Sequence, residues 1–221
     1  MLEWLWNLLF PPKCPGCSCY VEKQGAWCAD CLARVCMPRM LPIEAETAEL
    51  FQGGIWALGI YEKELRNMLR SLKYQQKQAV LPNLHTLVTE GLKLIEKRGG
   101  DFNQDMVAVA VPLHKSKLAK RGFNQSQVIF QKPLTERGMS MEDWLLRIKA
   151  TKAQYGLSAA ERRDNLRKVF QLAKGVSVQG RRVLLVDDIM TTGTTLRECG
   201  RVLQEAGAAH ITGLVIASGR R

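Results

Sequence analysis

The chain is 221 residues long and carries a formal net charge of +11, from 32 lysines and arginines against 21 acids. That length holds one sizeable core, or a core plus a small module. No apolar run reaches the ~18 residues of a spanning helix, and the start, MLEWLWNLLFPP, lacks the basic opening of a signal peptide.

A cytoplasmic chain is therefore expected, with reduced thiols, and its seven cysteines read as metal ligands or core residues. Residues 2–10 form a short amphipathic segment with Leu2, Leu5, Trp6 and Leu9 on one face, closed by Pro11-Pro12. Next come Cys14-Pro-Gly-Cys17 and Cys28-Ala-Asp-Cys31. Each Cys-x-x-Cys is a tight turn that points two thiolates at one place. Two such turns make a closed four-thiolate site, the pattern of a structural zinc. A segment this short has too little core to fold unaided, and the metal replaces that core. Such a site serves as a brace or also touches nucleic acid; the spacing leaves both open. Cys19 and Cys36 fall outside it and read as spare thiols.

Residues 41–52 show little periodicity and read as a linker between a module at 1–40 and a domain at 53–221. A strand is expected over 53–61, then a helix over 64–74 with Leu65, Met68, Leu69 and Leu72 inward, ending on Lys73-Tyr74. A second helix spans 79–97; His85 lies within it and is given no role. Met106 to Val111 is a buried strand that exits into Pro112-Leu-His114-Lys115. Lys120 to Ser126, KRGFNQS, is expected to open the next helix, and Pro133 to break it. Between Val111 and Phe170 thirteen lysines and arginines stand against five acids, so most of the net charge sits there. That clustering suits a pyrophosphorylated sugar, a nucleic-acid backbone, or merely a solvated basic surface. Ser158 to Glu161 is a capping box that sets Arg162 and Asn165 in the first turns of a short helix.

The most informative stretch is Arg181 to Thr195, RRVLLVDDIMTTGTT. Val183 to Val186 read as a strand buried on both faces, followed by Asp187-Asp188, a loop from Thr191 to Thr195, and a helix carrying Leu196, Cys199, Val202 and Leu203 inward. A strand, a hydroxyl-rich loop and a helix N-terminus make an anion site. Walker and dinucleotide fingerprints are both absent. Two carboxylates before a phosphate cradle suit a sugar phosphate: the acids accept from vicinal hydroxyls while Thr191, Thr192, Gly193, Thr194 and Thr195 hold the 5′-phosphate. A solvated turn is the plainer alternative. A last strand spans 211–217.

Strand, then Asp-Asp-x-x-x-Thr-Gly-x-Thr, resembles the phosphoribosyl pyrophosphate (PRPP) motif of the type I phosphoribosyltransferases. Pro112-Leu-His114 followed by Arg121-Gly-Phe123-Asn124-Gln125-Ser126 narrows the resemblance to the ComF family of competence proteins, also called GntX-type. Thr151-x-x-Gln154-x-x-Leu157, Arg162-x-x-Asn165, Lys73-Tyr74 and the paired cysteines fit that family too. The resemblance implies an α/β fold: an open, mainly parallel sheet flanked by helices, with a small N-terminal four-cysteine module of zinc-ribbon type. It implies PRPP binding with magnesium, His114 and Lys115 near the pyrophosphate, and a flap carrying Thr151, Gln154 and Arg162. It also implies a part in natural competence or use of external DNA, with DNA-uptake machinery as partner. Basic residues interleaved with Tyr74, Phe123, Tyr155 and Phe170 suit single-stranded DNA. A catalytic transferase acting on a small base or amine, or a PRPP-sensing regulator, is the alternative.

Overall fold

The computed structural model describes residues 11–149 and 169–219. The amphipathic segment at 2–10, and Thr151, Gln154, Tyr155, Arg162 and Asn165 with their capping box, lie outside the described residues.

The centre is a six-stranded sheet built from β1 (Arg39–Met40), β2 (Ile55–Ile60), β3 (Met106–Ala110), β4 (Ser140–Glu142), β7 (Arg182–Met190) and β8 (His210–Ser218). Its order is β1-β2-β8-β7-β3-β4, and every neighbouring pair is parallel except β1 with β2. A separate two-stranded ribbon pairs β5 (Leu145–Arg147) with β6 (Phe170–Leu172).

Both faces of the sheet are covered, which is why its central strands are continuously apolar instead of alternating. On one face lie α3 (Lys63–Gln75), α4 (Leu81–Glu96) and α6 (Gln125–Thr135), packed on Leu184, Val186, Leu214 and Ile216. On the other lies α7 (Thr194–Glu205), packed with the ribbon on Val183, Leu185, Ile211 and Val215. Alternate residues of β7 thus feed two cores, as period-two geometry requires. Leu41, Leu50 and Phe51, from the segment expected as a linker, are buried in the second core, and a short helix α2 (Ala45–Ala48) lies among them.

The cysteine segment holds helix α1 (Ala29–Val35) and docks on α4 by reciprocal polar contacts. Trp27 Nε1 donates to the Asn83 carbonyl at 3.0 Å, Asn83 Nδ2 donates back to that of Ala26 at 3.3 Å, and Thr86 Oγ1 donates to that of Gly25 at 2.9 Å. His85, given no role, ties α4 to α6 through the Val128 carbonyl, 3.0 Å from its Nε2.

Three expectations need correction. A helix does not open at Lys120: α5 spans Lys115–Arg121 and ends at Gly122, whose φ of 82° is left-handed, and α6 starts afresh after Asn124. The KRGFNQS motif is the hinge between the two. Pro133 does not break α6 but lies inside its last turn and is buried. Its missing N–H removes one rung just before the helix ends anyway. The strand expected over 183–186 runs on through both acids to Met190, because β8 pairs with it as far as Ser218.

Candidate functional site

Sheet order decides where a ligand can sit. From β3 the chain goes on to β4 at one edge, whereas from β7 it goes on to β8 on the opposite side. Strands β3 and β7 are neighbours, so the crevice at their carboxyl ends is a topological switch point, the place where open α/β sheets bind ligands. The loop 112–115 leaves β3 there, and the loop 191–193 leaves β7 there.

The acid pair stands on β7 at that crevice. Asp187 Oδ1 accepts from Ser126 Oγ at 2.9 Å and from the Asp188 N–H at 2.8 Å. Ser126 is buried and fixed by the helix cap: Asn124 Oδ1 accepts from the Ser126 N–H at 3.1 Å, and Asn124 Nδ2 donates to the Val111 carbonyl at 3.0 Å. The cap of α6 thereby locks the β3 exit to the acid on β7. Burial, and then the neighbouring Asp188, push the Asp187 carboxyl up to about 8. Asp188 is 4% exposed, and its Oδ2 is buried without a hydrogen-bond partner. Lys73 Nζ stands 3.8 Å from that oxygen. A buried, unsatisfied carboxylate oxygen is costly unless a ligand completes it.

Past the acids the chain turns at Gly193, the N-cap of α7, with φ 73°. A Cβ there would lie 2.8 Å from Met190 Cε. Thr191 and Thr192 are exposed, Thr194 and Thr195 half-buried, and the Thr192 and Thr194 hydroxyls are 2.9 Å apart. The first-turn N–H groups of a helix have no acceptor of their own, and its dipole is positive at that end. Loop and helix start therefore form an anion cradle next to the two acids.

His114 caps α5, its Nδ1 accepting from the Ser116 N–H at 3.3 Å, while Lys115 opens α5 fully exposed. Arg121 hydrogen-bonds Gln125 across the hinge, and Phe123 packs on the first core. Tyr74 is exposed. Among the described residues expected to touch nucleic acid, Lys73 ion-pairs with the acid pair and Asn124 reaches it through Ser126.

Sequence reasoning missed three features. Lys117, on the exposed helix α5, is held below its usual range by partial desolvation, and then by Arg147, Lys73 and Arg121 around it. Arg147 lies over the Phe170 ring at 5.4 Å, on a ribbon too short to carry a periodic signal. A cavity of about 280 Å3 adjoins the cradle, lined by Leu41, Pro42, Tyr61, Ile189 and Met190, with Thr191 and Thr192 at one side. Arg39 stands at this cavity, donating to Ser218 Oγ at 2.8 Å and to the Gly219 carbonyl at 2.9 Å. Ser126 and its cap, by contrast, were visible as Asn-Gln-Ser; the cavity depends on strand order and left no local mark.

Cys14, Cys17, Cys28 and Cys31 converge as expected, every sulfur within 4.8 Å of every other, and form a structural metal site. Gly16 makes the first turn fit: a Cβ there would lie 2.7 Å from Cys31 Sγ. Burial raises the Cys14 thiol, but backbone N–H groups of Cys28, Gly16 and Cys17 outweigh it and bring the thiol down to about 6. Cys36 is buried apart in the core, pushed up to about 12 by burial, and Cys19 is exposed.

The fold is of the type I phosphoribosyltransferase class, and residues 139–221 match the phosphoribosyl transferase domain family. DNA utilization protein YhgH of Salmonella typhimurium is 31% identical over 152 residues, covering 68% of this chain and 66% of that protein. The match thus spans just under two thirds of that relative's length. Competence protein F of Haemophilus influenzae is 27% identical over 202 residues, covering 90% and 82%. A hypoxanthine phosphoribosyltransferase structure from Staphylococcus aureus overlaps 62% of this chain and 64% of its own, at 16% identity and a TM-score of 0.39. The chain belongs to the ComF-type family of competence and DNA-utilisation proteins, built on a phosphoribosyltransferase domain.

Proposed function

We propose that the chain binds PRPP with magnesium at the β3–β7 crevice and serves natural competence or the use of external DNA in the cytoplasm. The observation that carries this reading is the acid pair, with its unsatisfied Asp188 Oδ2, set directly before the cradle. In this reading Asp187 and Asp188 accept from the two ribose hydroxyls. Thr191 to Thr195 hold the 5′-phosphate by N–H groups, hydroxyls and the helix dipole. His114, Lys115 and Lys117 lie toward the pyrophosphate, whose charge magnesium would partly neutralise. Thr151, Gln154, Arg162 and Asn165 are in this reading further contacts for PRPP or nucleic acid. The metal in the four-cysteine site is zinc in this reading, the ion that two Cys-x-x-Cys turns ordinarily hold, and the four sulfurs lie within 4.8 Å of one another. The zinc module over 1–40 and the domain over 53–221 act as one body, consistent with their interlocked hydrogen bonds. Single-stranded DNA and the DNA-uptake machinery are the partners, in keeping with the names of the relatives.

A second reading is favoured by the cavity beside the cradle. An apolar slot of about 280 Å3 with one arginine at its wall suits a flat ring of base size. In that reading a ring nitrogen displaces pyrophosphate at ribose C1.

Calorimetry with ribose 5-phosphate and 2-deoxyribose 5-phosphate tests how the site reads its sugar. A hydrogen bond to a charged acceptor contributes about 1.5–3 kcal/mol. Ribose 5-phosphate should therefore bind roughly tenfold tighter or better, and equal affinities would remove the acids from the site.

A further inference from the structure

Helix α3 carries Arg66, Arg70 and Lys73 at spacings of four and three, hence on one face. Arg66 and Arg70 are exposed, and so are Tyr74 and, just past the helix, Lys77. Tyr74 is 70% exposed, a large apolar ring standing in water. Gln76 Nε2 donates to the Lys120 carbonyl at 3.4 Å, which lays the end of α3 against the end of α5. Along α5, Lys115, Lys117 and Lys120 are exposed. Among the described residues none of these cations is ion-paired except Lys73. The one acid of α3, Glu64 in its first turn, is taken by Arg34 at 2.9 Å. The result is a track of one sign, with an aromatic ring on it, running into the mouth of the cradle.

We infer that this track, Arg66-Arg70-Tyr74-Lys77 and α5, binds a single-stranded nucleic-acid backbone, and that it shares Lys73 with the sugar-phosphate cradle, so that the two anions antagonise each other. The inference rests on the reading of the cradle given above. A strand wants cations spaced along a backbone and a ring on which a base can stack; the track offers both. The strand does not enter the cradle. A DNA sugar has no 2′-hydroxyl and its 3′-oxygen is esterified, so Asp187 and Asp188 would stay unsatisfied there. Track and cradle therefore hold different molecules at once, yet they draw on the same charges. Lys73 belongs to the α3 stripe and also stands against Asp188. Lys117 belongs to α5 and lies amid Arg147, Lys73 and Arg121. A sugar pyrophosphate adds several negative charges within the ~8 Å screening length of physiological salt. The coupling is consequently negative, and linkage makes it reciprocal.

Fluorescence anisotropy on the full zinc-loaded chain tests this, with a labelled oligothymidine of about 20 nucleotides as probe. Affinity should fall steeply with salt. Arg66→Ala/Arg70→Ala should weaken oligonucleotide binding about tenfold or more and leave PRPP binding by calorimetry unchanged. Saturating magnesium–PRPP should weaken oligonucleotide binding by at least about fivefold, the low end of ordinary coupling. Lys73→Ala should weaken the oligonucleotide and shrink that effect, and magnesium alone should not reproduce it. If PRPP binds by calorimetry and the oligonucleotide affinity is unmoved, the shared-cation proposal is wrong and the cradle reading stands. If PRPP does not bind at all, the cradle reading falls, and the coupling with it. No oligonucleotide binding, or preference for vesicles of anionic phospholipid over the oligonucleotide, would overturn the track.

Discussion

The environment of Asp187 works against its charge. Burial and Asp188 raise it, while the Ser126 hydroxyl and the Asp188 N–H only partly compensate. Its folded value lies above the unfolded one, so the stability it allows is full below about pH 4 and is lost as pH rises through about 8. The contribution of Asp187 to the stability of the ligand-free chain should therefore fall from acid to mildly alkaline pH. Asp187→Asn removes that component, so differential scanning fluorimetry should find the variant gaining on wild type as pH rises. Parallel curves would mean that Asp187 ionises as freely in the fold as outside it. Ser126→Ala removes one donor to the carboxylate and should raise the Asp187 value further. That variant should steepen the same pH dependence, and a flatter one would contradict the assigned hydrogen bond.

At the scale of elements, the turn from β7 into α7 and the first of the two cysteine turns are both set by glycine. Gly193 has φ 73° and Met190 Cε close by. Gly193→Ala should cost about 1–2 kcal/mol by urea unfolding and weaken phosphate binding more than the stability loss alone explains. The four-cysteine cluster braces α1 against α4, so one zinc per chain is expected, and a strong chelator should lower the melting temperature. Metal analysis finding none, with melting indifferent to chelator, would contradict the brace. These two elements were legible because their chemistry is local: thiolates two residues apart, and a hydroxyl loop after an apolar run. Helix α5 was not legible. Lys115 to Lys120 are all exposed, so the helix has no apolar stripe to reveal it. The ribbon of β5 and β6 joins residues 145–147 to 170–172, a pairing no local pattern announces.

Across the whole molecule, the order β1-β2-β8-β7-β3-β4 brings separate motifs to one crevice. Two strand ends were expected to face a ligand, at 112–115 and 187–195, and the strands they leave, β3 and β7, are neighbours in the sheet. It could not reveal that Lys73, read as a nucleic-acid contact, stands 3.8 Å from Asp188, because that meeting depends on how α3 lies over the sheet. Nor could it reveal that Leu41 and Pro42, from a segment read as a linker, help wall a cavity beside the cradle. Their spacing follows neither the helical nor the strand period, and only packing gives them a place. No helix among the described residues is long and apolar enough to cross a membrane. The central claim is that acids and cradle form one sugar-pyrophosphate site, and titration calorimetry of PRPP with magnesium tests it most directly, on wild type and on Asp187→Asn/Asp188→Asn. The account predicts saturable binding by the wild type, lost or weakened at least tenfold (about 1.4 kcal/mol) in the variant. Equal binding by both proteins, or none by the folded wild type, would contradict it.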